Sequence, residues 1–233
     1  MHAGNLLLAS LSAGDAAALK PHLNVIHLEH QKVLFEAGDP INVVYFPSSA
    51  IISLVVGLST GEMIEAAMVG RDGVIGASAA LDGRISLSRA IVQLEGASLT
   101  CQVDVLKGAA LQSSTLLSKL IRHEQTLYAQ AQQSTACMAA HAVEARLCRW
   151  LLRARDLSDS DTLSFTQELL AEMLGVRRTS VTLVAHSLQQ AGMIKYARGK
   201  IQILNLEGLR ETACECYETV NSHYRALLGA TAA

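Results

Sequence analysis

One segment, residues 166–188, constrains the fold of this chain more than any other. Its first half carries apolar residues at the spacing of one helix face, namely Leu169, Leu170, Met173 and Leu174. Gly175 interrupts the pattern, which then resumes at Val181, Val184, Ala185 and Leu188. The outward side of this second helix is polar, with Arg178, Thr179, Thr182 and His186. Two short helices joined at a glycine predict a helix-turn-helix whose second helix can enter the DNA major groove.

The net charge of the whole chain gives no sign of a nucleic-acid-binding protein, because it is only −2. The distribution of charge is more informative than its sum. Between Ser164 and Asn205 the sequence holds two acidic residues, Glu168 and Glu172, and five basic ones: Arg177, Arg178, Lys195, Arg198 and Lys200. The segment is therefore locally positive, which favours contact with a polyanion.

The cysteines and the hydropathy of the sequence indicate the cellular compartment. The five cysteines lie at positions 101, 137, 148, 214 and 216, and none forms a C-x-x-C pair. An odd number of cysteines, with no signal peptide ahead of them, predicts reduced thiols and a cytoplasmic protein. No apolar run approaches the roughly 18–20 residues of a membrane span, so no membrane partner is expected.

We predict no metal site. His141 and Glu144 share a helix face, but no second pair of ligands accompanies them. Cys214 and Cys216 are two positions apart on a predicted helix, so they would face different directions. The residues also assign no cofactor.

The N-terminal part has the pattern of short strands. From Val25 onward apolar and polar residues alternate, and glycine turns follow at regular spacing, for example at residues 38–40 and 95–96. A stretch of small residues, VIGASAAL, is compatible with one short helix between strands. Many short strands separated by glycine turns predict a β-roll over residues 1–110.

Residues 111–155 contain no proline and no glycine, which predicts one long helix. Apolar and small residues recur on it close to a three–four spacing, at Leu116, Leu120, Leu127, Ala131, Ser134 and Met138. We predict a homodimer paired through residues 111–155, because the chain offers little else to cover this seam. The alternative is that the helix packs against its own β-roll.

The polar segment DLSDSDTL, residues 156–163, predicts the boundary to a C-terminal domain over residues 156–233. Residues 193–206 read as a hairpin around Ala197, Arg198 and Gly199, in the position of a wing. A final helix is predicted from Leu206 to Tyr224.

A β-roll, a long helix and a winged helix-turn-helix, in this order, resemble the Crp/Fnr superfamily of bacterial transcription regulators. The most specific motifs are EARLCRWLL (144–152), TQELLAEMLGVRRTSV (166–181) and RGKIQI (198–203). The resemblance implies an α+β fold with a jelly-roll-like β-roll, also described as a double-stranded β-helix. It further implies a homodimer whose recognition helices, about 177–190, read an inverted repeat in double-stranded DNA. RNA polymerase is an implied partner.

The resemblance carries over to individual residues of the recognition helix. Arg178 matches the family's base-reading arginine, whereas Thr179 and Leu183 stand where the family usually has an acidic residue and a further arginine. We therefore expect a DNA sequence different from the best-known one of the family. Arg177 replaces a helix-capping serine and becomes a predicted phosphate contact. Further predicted contacts to the DNA backbone are Thr166, Thr182, Arg198 and Lys200.

The family's cyclic-nucleotide cassette maps to residues 70–92. Gly73 and Gly76 are in place, but Ala77 replaces the ribose-binding carboxylate and Ser88 aligns with the phosphate-binding arginine. Arg89 is one residue along and, on an alternating strand, would face away unless the preceding loop contains a gap. These departures argue against cyclic AMP. The predicted effector pocket around these five residues is left for another small molecule, or for none.

Three classes of function were compared. The leading hypothesis is a DNA-binding regulator whose effector acts through a hinge near residues 155–163. The alternative is a small-molecule-binding β-roll module with weakened or lost specific DNA binding. An enzyme is not expected, because the sequence has no nucleophile elbow, phosphate-binding loop, metal-ligand set or paired catalytic carboxylates.

Overall fold

The computed structural model describes residues 4–229. The strands are, in chain order, β1 (Asn24–Leu28), β2 (Val33–Phe35), β3 (Val43–Pro47), β4 (Ile51–Gly57), β5 (Met63–Val69), β6 (Arg89–Leu94), β7 (Gly96–Gln102), β8 (Thr162–Ser164), β9 (Ile194–Ala197) and β10 (Lys200–Ile203). The α-helices are α1 (Leu6–Ala9), α2 (Ala13–Leu19), α3 (Val103–Gln112), α4 (Ser114–Ala140), α5 (Val143–Ser158), α6 (Gln167–Leu174), α7 (Arg178–Gln190), α8 (Leu206–Thr212) and α9 (Cys216–Leu228).

The first seven strands form two antiparallel sheets that share one core. One sheet has the order β1-β7-β3 and the other the order β2-β6-β4-β5. Fully buried residues of both sheets meet between them, including Leu28, Val44, Phe46, Ile52 and Val92. The predicted β-roll is therefore confirmed, because alternation along each strand places one apolar face inside.

Several local predictions in this part are also confirmed. Ser12 caps α2 by accepting a hydrogen bond from the backbone N–H of Asp15 at 3.1 Å. The small-residue stretch forms a short 3₁₀ helix, Ala77–Leu81. The glycine turn at residues 95–96 joins β6 to β7 as expected.

The prediction of one uninterrupted helix over residues 111–155 is wrong. Ser113 is extended and accepts the N–H of Leu116 through its hydroxyl, so it ends α3 and begins α4. His141 and Ala142 are extended as well and separate α4 from α5. Neither glycine nor proline marks this second break. Packing of α5 sets its direction, which is a case of tertiary structure overriding helix propensity.

One face of α4 is covered by its own chain, as the alternative interpretation held. Of the predicted seam residues, Leu116, Leu120 and Ser134 are buried within the protomer. The side chain of Gln130 donates to the Met68 carbonyl of β5 at 3.2 Å and accepts from the Tyr224 hydroxyl of α9 at 2.9 Å. The opposite face of α4 is open.

The second core is formed by α5 through α8 and three short strands in the order β8-β10-β9, and it is joined by Ile51, Val55 and Met68 of β4 and β5. Trp150 of α5 is buried there, with its ring 4.7 Å from that of Phe165 in an edge-to-face arrangement. Because α5 is embedded in this core, we place the domain boundary at the break of residues 141–142. The expected boundary in the polar segment 156–163 is not favoured by the packing.

The last predicted helix is in fact two. Residues 213–215 interrupt it, so α8 stays with the second core. By contrast, α9 packs back on α4, and its residues Val220, Tyr224 and Leu227 join the β-roll core. Within residues 4–229 no helix combines the length and apolarity that a membrane crossing requires.

Candidate nucleic-acid interface and β-roll cavity

The first helix of the predicted motif, α6, begins and ends at residues that suit its termini. Thr166 caps it, since its hydroxyl accepts the backbone N–H of Leu169 at 3.1 Å. Gly175 ends it with a φ of 60°, a conformation that favours glycine. A Cβ at this position would lie 3.3 Å from Cδ1 of Ile64, in the β-roll. The turn between the two helices thus also contacts the N-terminal domain.

The second helix, α7, has the two faces that the sequence predicts. Val181, Ala185 and Leu188 are buried against the core. Arg177 occupies the N-cap without a side-chain capping bond. The exposed positions of α7 include Arg178, Thr179, Thr182, Leu183 and His186. A helix held by one apolar face leaves its polar face available for a DNA groove.

The Arg178 guanidinium is held only loosely. Its Nε lies 3.4 Å from Oε2 of Glu168, and both side chains are about two-thirds exposed, at 65% and 64%. An exposed pair of this kind contributes ~0–1 kcal/mol. The Arg178 guanidinium is therefore available to another partner at small cost.

The wing brings further predicted contacts beside the helix-turn-helix. Strands β9 and β10 pair antiparallel, with Lys200 opposite Ala197. Arg198 and Gly199 both have positive φ, 51° and 74°, as a two-residue type I′ turn requires. A Cβ at Gly199 would lie 3.7 Å from Cγ2 of Thr166, so the wing tip adjoins the start of α6. All seven predicted DNA contacts are exposed: Thr166, Arg177, Arg178, Thr179, Thr182, Arg198 and Lys200.

The N-terminal end of α7 faces a cleft shared with the β-roll. Residues 60–64, in the β4–β5 turn and at the start of β5, form one side of a space of about 890 Å³, and Arg177 and Arg178 lie on the other. Three carboxylates also line it: Glu62, Glu168 and Glu172. In this arrangement the two arginines share one cleft with acidic side chains.

Two buried polar contacts fix α5 to the β-roll. Glu65 accepts the indole N–H of Trp150 at 2.9 Å and a hydrogen bond from the Ser53 hydroxyl. Burial raises the pKa of Glu65, while the bond from Ser53 acts in the opposite direction. Asp72 and Arg153 form an ion pair of 2.6 Å with both side chains only 7% exposed. Neither contact was predicted from the sequence, because partners about 80 positions apart leave no local signal.

The predicted effector residues do not all meet. Gly76, with a φ of 86°, and Ser88 line a cavity of about 260 Å³ between the β-roll and α4. Ala77 is fully buried. Arg89 does not line the cavity and pairs with Glu36 at 2.9 Å, as expected for the outer face of the strand.

Gly73 lies under α4 instead of at the cavity. A Cβ there would be 2.8 Å from Nε2 of His123, and this nitrogen accepts the backbone N–H of Val74 at 3.1 Å. The polar lining of the cavity consists of three serines and Glu124, without lysine or arginine. An anionic ligand would therefore lie beside a carboxylate with no cation to compensate it.

Comparison with known proteins assigns the C-terminal motif. Residues 145–212 match the model of the Crp-like helix-turn-helix domain. The chain is also 25% identical over 184 residues to the global nitrogen regulator of Nostoc sp. (strain PCC 7120 / SAG 25.82 / UTEX 2576), a match that covers 75% of this chain and 82% of the relative. The C-terminal domain is therefore a Crp-like helix-turn-helix domain, and the chain as a whole is similar to transcriptional regulators of the Crp/Fnr superfamily.

Solved structures show the same fold over most of the chain. FixK2 from Bradyrhizobium japonicum superposes with a TM-score of 0.71 at 15% identity, covering 82% of this chain and 98% of that one. TTHB099, a CRP-family transcriptional regulator from Thermus thermophilus, gives 0.68 at 19% identity, with coverages of 81% and 96%. The predicted α+β fold is thereby confirmed.

The Crp-like helix-turn-helix domain identifies the protein as a DNA-binding transcriptional regulator. Its relatives are regulators and not enzymes. The matched domain begins at residue 145, close to the start of α5, and ends at residue 212, where α8 ends. Helix α5 is thus part of the DNA-binding domain, although the sequence pattern joined it to the long helix.

Proposed function

We propose that this regulator binds an inverted DNA repeat as a homodimer, with one α7 in the major groove of each half-site. The observation that carries the proposal is the exposed polar face of α7, flanked by the wing. Arg178 is the residue that reads a base, because a guanidinium can bind the O6 and N7 of guanine together. Arg177, Thr182 and the wing residues Arg198 and Lys200 contact phosphates and set the position of the helix.

The open face of α4 supports the homodimer. Exposed and half-buried residues recur on it at alternating intervals of four and three: Leu117, Ile121, Glu124, Tyr128, Ala131, Thr135 and Met138. Ile121 and Tyr128 are 50% and 66% exposed in the protomer and lie seven positions apart, so they share this one face of the helix. A second copy of α4 covers this seam by coiled-coil packing. The seam lies next to the one predicted from the sequence, whose leucines Leu116 and Leu120 are used internally.

Changing Ile121 to Asp is expected to convert the dimer to a monomer at micromolar concentration. The charge would be desolvated at the centre of the pairing seam without a partner. Size-exclusion chromatography with light scattering measures the mass. Val25→Asp is the matched control, because Val25 is 76% exposed on β1, away from α4. A dimer that persists in Ile121→Asp would place the interface elsewhere.

The cavity beside Gly76 and Ser88 restricts the chemical class of the proposed effector. Its lining of apolar residues, serines and Glu124 suits a small neutral or cationic molecule. Bound between the β-roll and α4, such a ligand would favour one arrangement of the DNA-binding domain by binding it more tightly. The break at residues 141–142 is the hinge that fits this role. Contact with RNA polymerase is part of the same proposal and rests on similarity to Crp/Fnr regulators alone.

Cyclic AMP at millimolar concentration is expected to leave the thermal midpoint unchanged. A ligand present at 100 times its Kd stabilises a protein by about 2.7 kcal/mol, so binding would be visible as a shift. Differential scanning fluorimetry measures the thermal midpoint. A mixture of small cationic or neutral metabolites serves as the comparison. A cyclic-AMP-dependent rise of several degrees would contradict the assignment of the cavity.

Selection of DNA from a random library with the purified full chain tests the proposed function as a whole. We expect an enriched inverted repeat whose half-sites are separated by about one helical turn, ~34 Å. Enrichment of a single half-site would contradict the dimeric mode of reading. Absence of any enriched sequence would favour a ligand-binding module that has lost specific DNA binding.

A further inference from the structure

Four side chains with metal-binding donor atoms meet where α4 ends and α9 begins. They are Cys137, His141, Cys214 and Cys216, and their donor atoms all lie within 4.8 Å of one another. The Sγ atoms of Cys137 and Cys214 are 3.5 Å apart, and Sγ of Cys216 is 3.6 Å from Nδ1 of His141. We propose that these four residues bind a single transition-metal ion, with zinc as the ion whose preferences they fit best.

The spacing of the donors matches a mononuclear tetrahedral site. With zinc–sulfur bonds of about 2.3 Å, neighbouring ligands of a tetrahedron lie about 3.8 Å apart. The 3.5 Å between the sulfurs of Cys137 and Cys214 requires only a small side-chain movement to reach this value. For a sulfur–nitrogen pair the shorter zinc–nitrogen bond gives about 3.6 Å, which matches the separation of Cys216 and His141. Three thiolates and one imidazole fill all four positions, which is the composition of a closed, structural zinc site.

The fold brings the four ligands together from two helix breaks. Cys137 lies in the last turn of α4, and His141 occupies the extended residue that ends this helix. Cys214 lies in the turn before α9, whereas Cys216 is the first residue of α9. The expectation that Cys214 and Cys216 share a helix and face apart is therefore wrong. Because Cys214 is not helical, both thiols can face one centre.

Two neighbouring side chains orient the ligands in the manner of known metal sites. Nε2 of His141 lies 3.2 Å from Oε1 of Glu215, which leaves Nδ1 directed at the cysteines. A carboxylate that accepts the second ring N–H is the usual partner of a metal-binding histidine. The Gln133 amide donates to Sγ of Cys216 at 3.0 Å, and such a bond stabilises a thiolate.

Buried positive charge next to the cluster supports the same assignment. Arg146 and Arg149 are 7% and 8% exposed, and no carboxylate of the described residues lies within 4 Å of either. Both are close enough to the thiols for a Coulombic interaction, Arg149 with Cys137 and Arg146 with Cys137 and Cys214. Zinc with three thiolates carries a net charge of −1. The loaded site would thus place negative charge beside these two buried arginines, of which Arg149 also interacts with the buried Glu65 carboxylate.

The position of the site links the ion to the hinge. The four ligands join the end of α4 to the turn before α9. The end of α4 lies immediately before α5 in the chain. Arg146 of α5 also donates a hydrogen bond to the carbonyl of Leu174, at the end of α6. Metal loading would therefore hold α4, α5 and α9 in one mutual arrangement. This inference does not depend on which DNA the protein reads.

Metal analysis of the full-length protein, purified under reducing conditions and supplied with zinc, tests the proposal. We expect one zinc per protomer by plasma mass spectrometry. Replacing zinc with Co²⁺ is expected to give thiolate-to-cobalt charge-transfer absorption and the intense visible bands of tetrahedral cobalt. A reduced, folded protein that retains less than a tenth of an equivalent of either ion would overturn the proposal.

Variants identify the ligands independently. Cys137→Ser and Cys214→Ser are expected to lower zinc affinity by at least about 100-fold, and Glu215→Gln by about 10- to 100-fold. Cys101→Ser is the matched control, because Cys101 is equally buried but lies outside the cluster. Alkylation of the wild-type protein checks the result without any variant, since zinc should protect Cys137, Cys214 and Cys216. Equal metal binding by the ligand and control variants would overturn the assignment, and so would a Cys137–Cys214 disulfide that forms in place of metal binding in reducing buffer.

Discussion

An Arg178→Ala variant is expected to lose about 5- to 150-fold in affinity for its specific DNA at each half-site, because a bidentate arginine–guanine contact contributes about 1–3 kcal/mol of discrimination. Its affinity for random DNA should change much less, since phosphate contacts supply most non-specific binding. The fold should be unaffected, because the Arg178 side chain is 65% exposed and its contact with Glu168 is weak. Fluorescence anisotropy with the selected repeat and with a scrambled duplex measures both affinities.

Two further variants separate base reading from phosphate contact. Lys200→Ala, on the wing, should weaken binding to both duplexes alike and reduce the slope of affinity against salt by about 1. Arg210→Ala is the control, because Arg210 is an exposed arginine of α8 outside the proposed interface. If Arg178→Ala weakened binding to both duplexes equally, Arg178 would be a phosphate contact and another residue of α7 would read the bases.

Sequence patterns predicted the parts of the fold whose signals are local. The helix-turn-helix follows from apolar spacing on either side of Gly175, and the wing turn follows from the dipeptide of Arg198 and Gly199. The signal for the β-roll strands is equally local, since apolar residues at every second position of a strand indicate its buried face. These elements agree with the structure because local preference and tertiary packing favour the same conformation.

The remaining features depend on partners that are distant in the chain. Residues 141–142 break a helical stretch that has no glycine or proline, because α5 packs on the second core. No nearby residue type indicates this break. Packing of the long helix on its own chain was an open alternative, but the sequence could not show that α9 returns from the C-terminal end to cover part of α4. The proposed pairing seam that contains Ile121 and Tyr128 can be recognised only when Leu116 and Leu120 are known to be buried within the protomer. The cysteine–histidine cluster likewise joins positions about 75 residues apart.

Removing either partner of the buried pair between Asp72 and Arg153 is expected to destabilise the protein by about 3–5 kcal/mol, because the remaining charge is left buried without compensation. Asp72→Leu would remove the ion-pair partner of the Arg153 guanidinium and leave it stacked on the ring of Tyr224, which lies 4.3 Å from its central carbon. For a chain of this size the loss corresponds to a fall of about 6–20 °C in the thermal midpoint. The neighbouring pair of Arg71 and Asp159 supplies the control, since Asp159 is 76% exposed and Asp159→Ala should cost ~0–1 kcal/mol.

The double variant Asp72→Leu with Arg153→Met decides what the pair contributes. Replacing both charges by apolar side chains removes the desolvation penalty together with the attraction, so the double variant should be more stable than either single one. Several polar atoms of the pair lack a partner, namely Oδ1 of Asp72 and both Nε and Nη2 of Arg153, which indicates that the pair is not optimised for stability alone. The Asp72–Arg153 pair connects the β-roll with α5 and α9. We therefore infer that its main contribution is to fix the direction of α5. Urea unfolding of the four proteins measures the coupling, and additive losses in the double variant would contradict this interpretation.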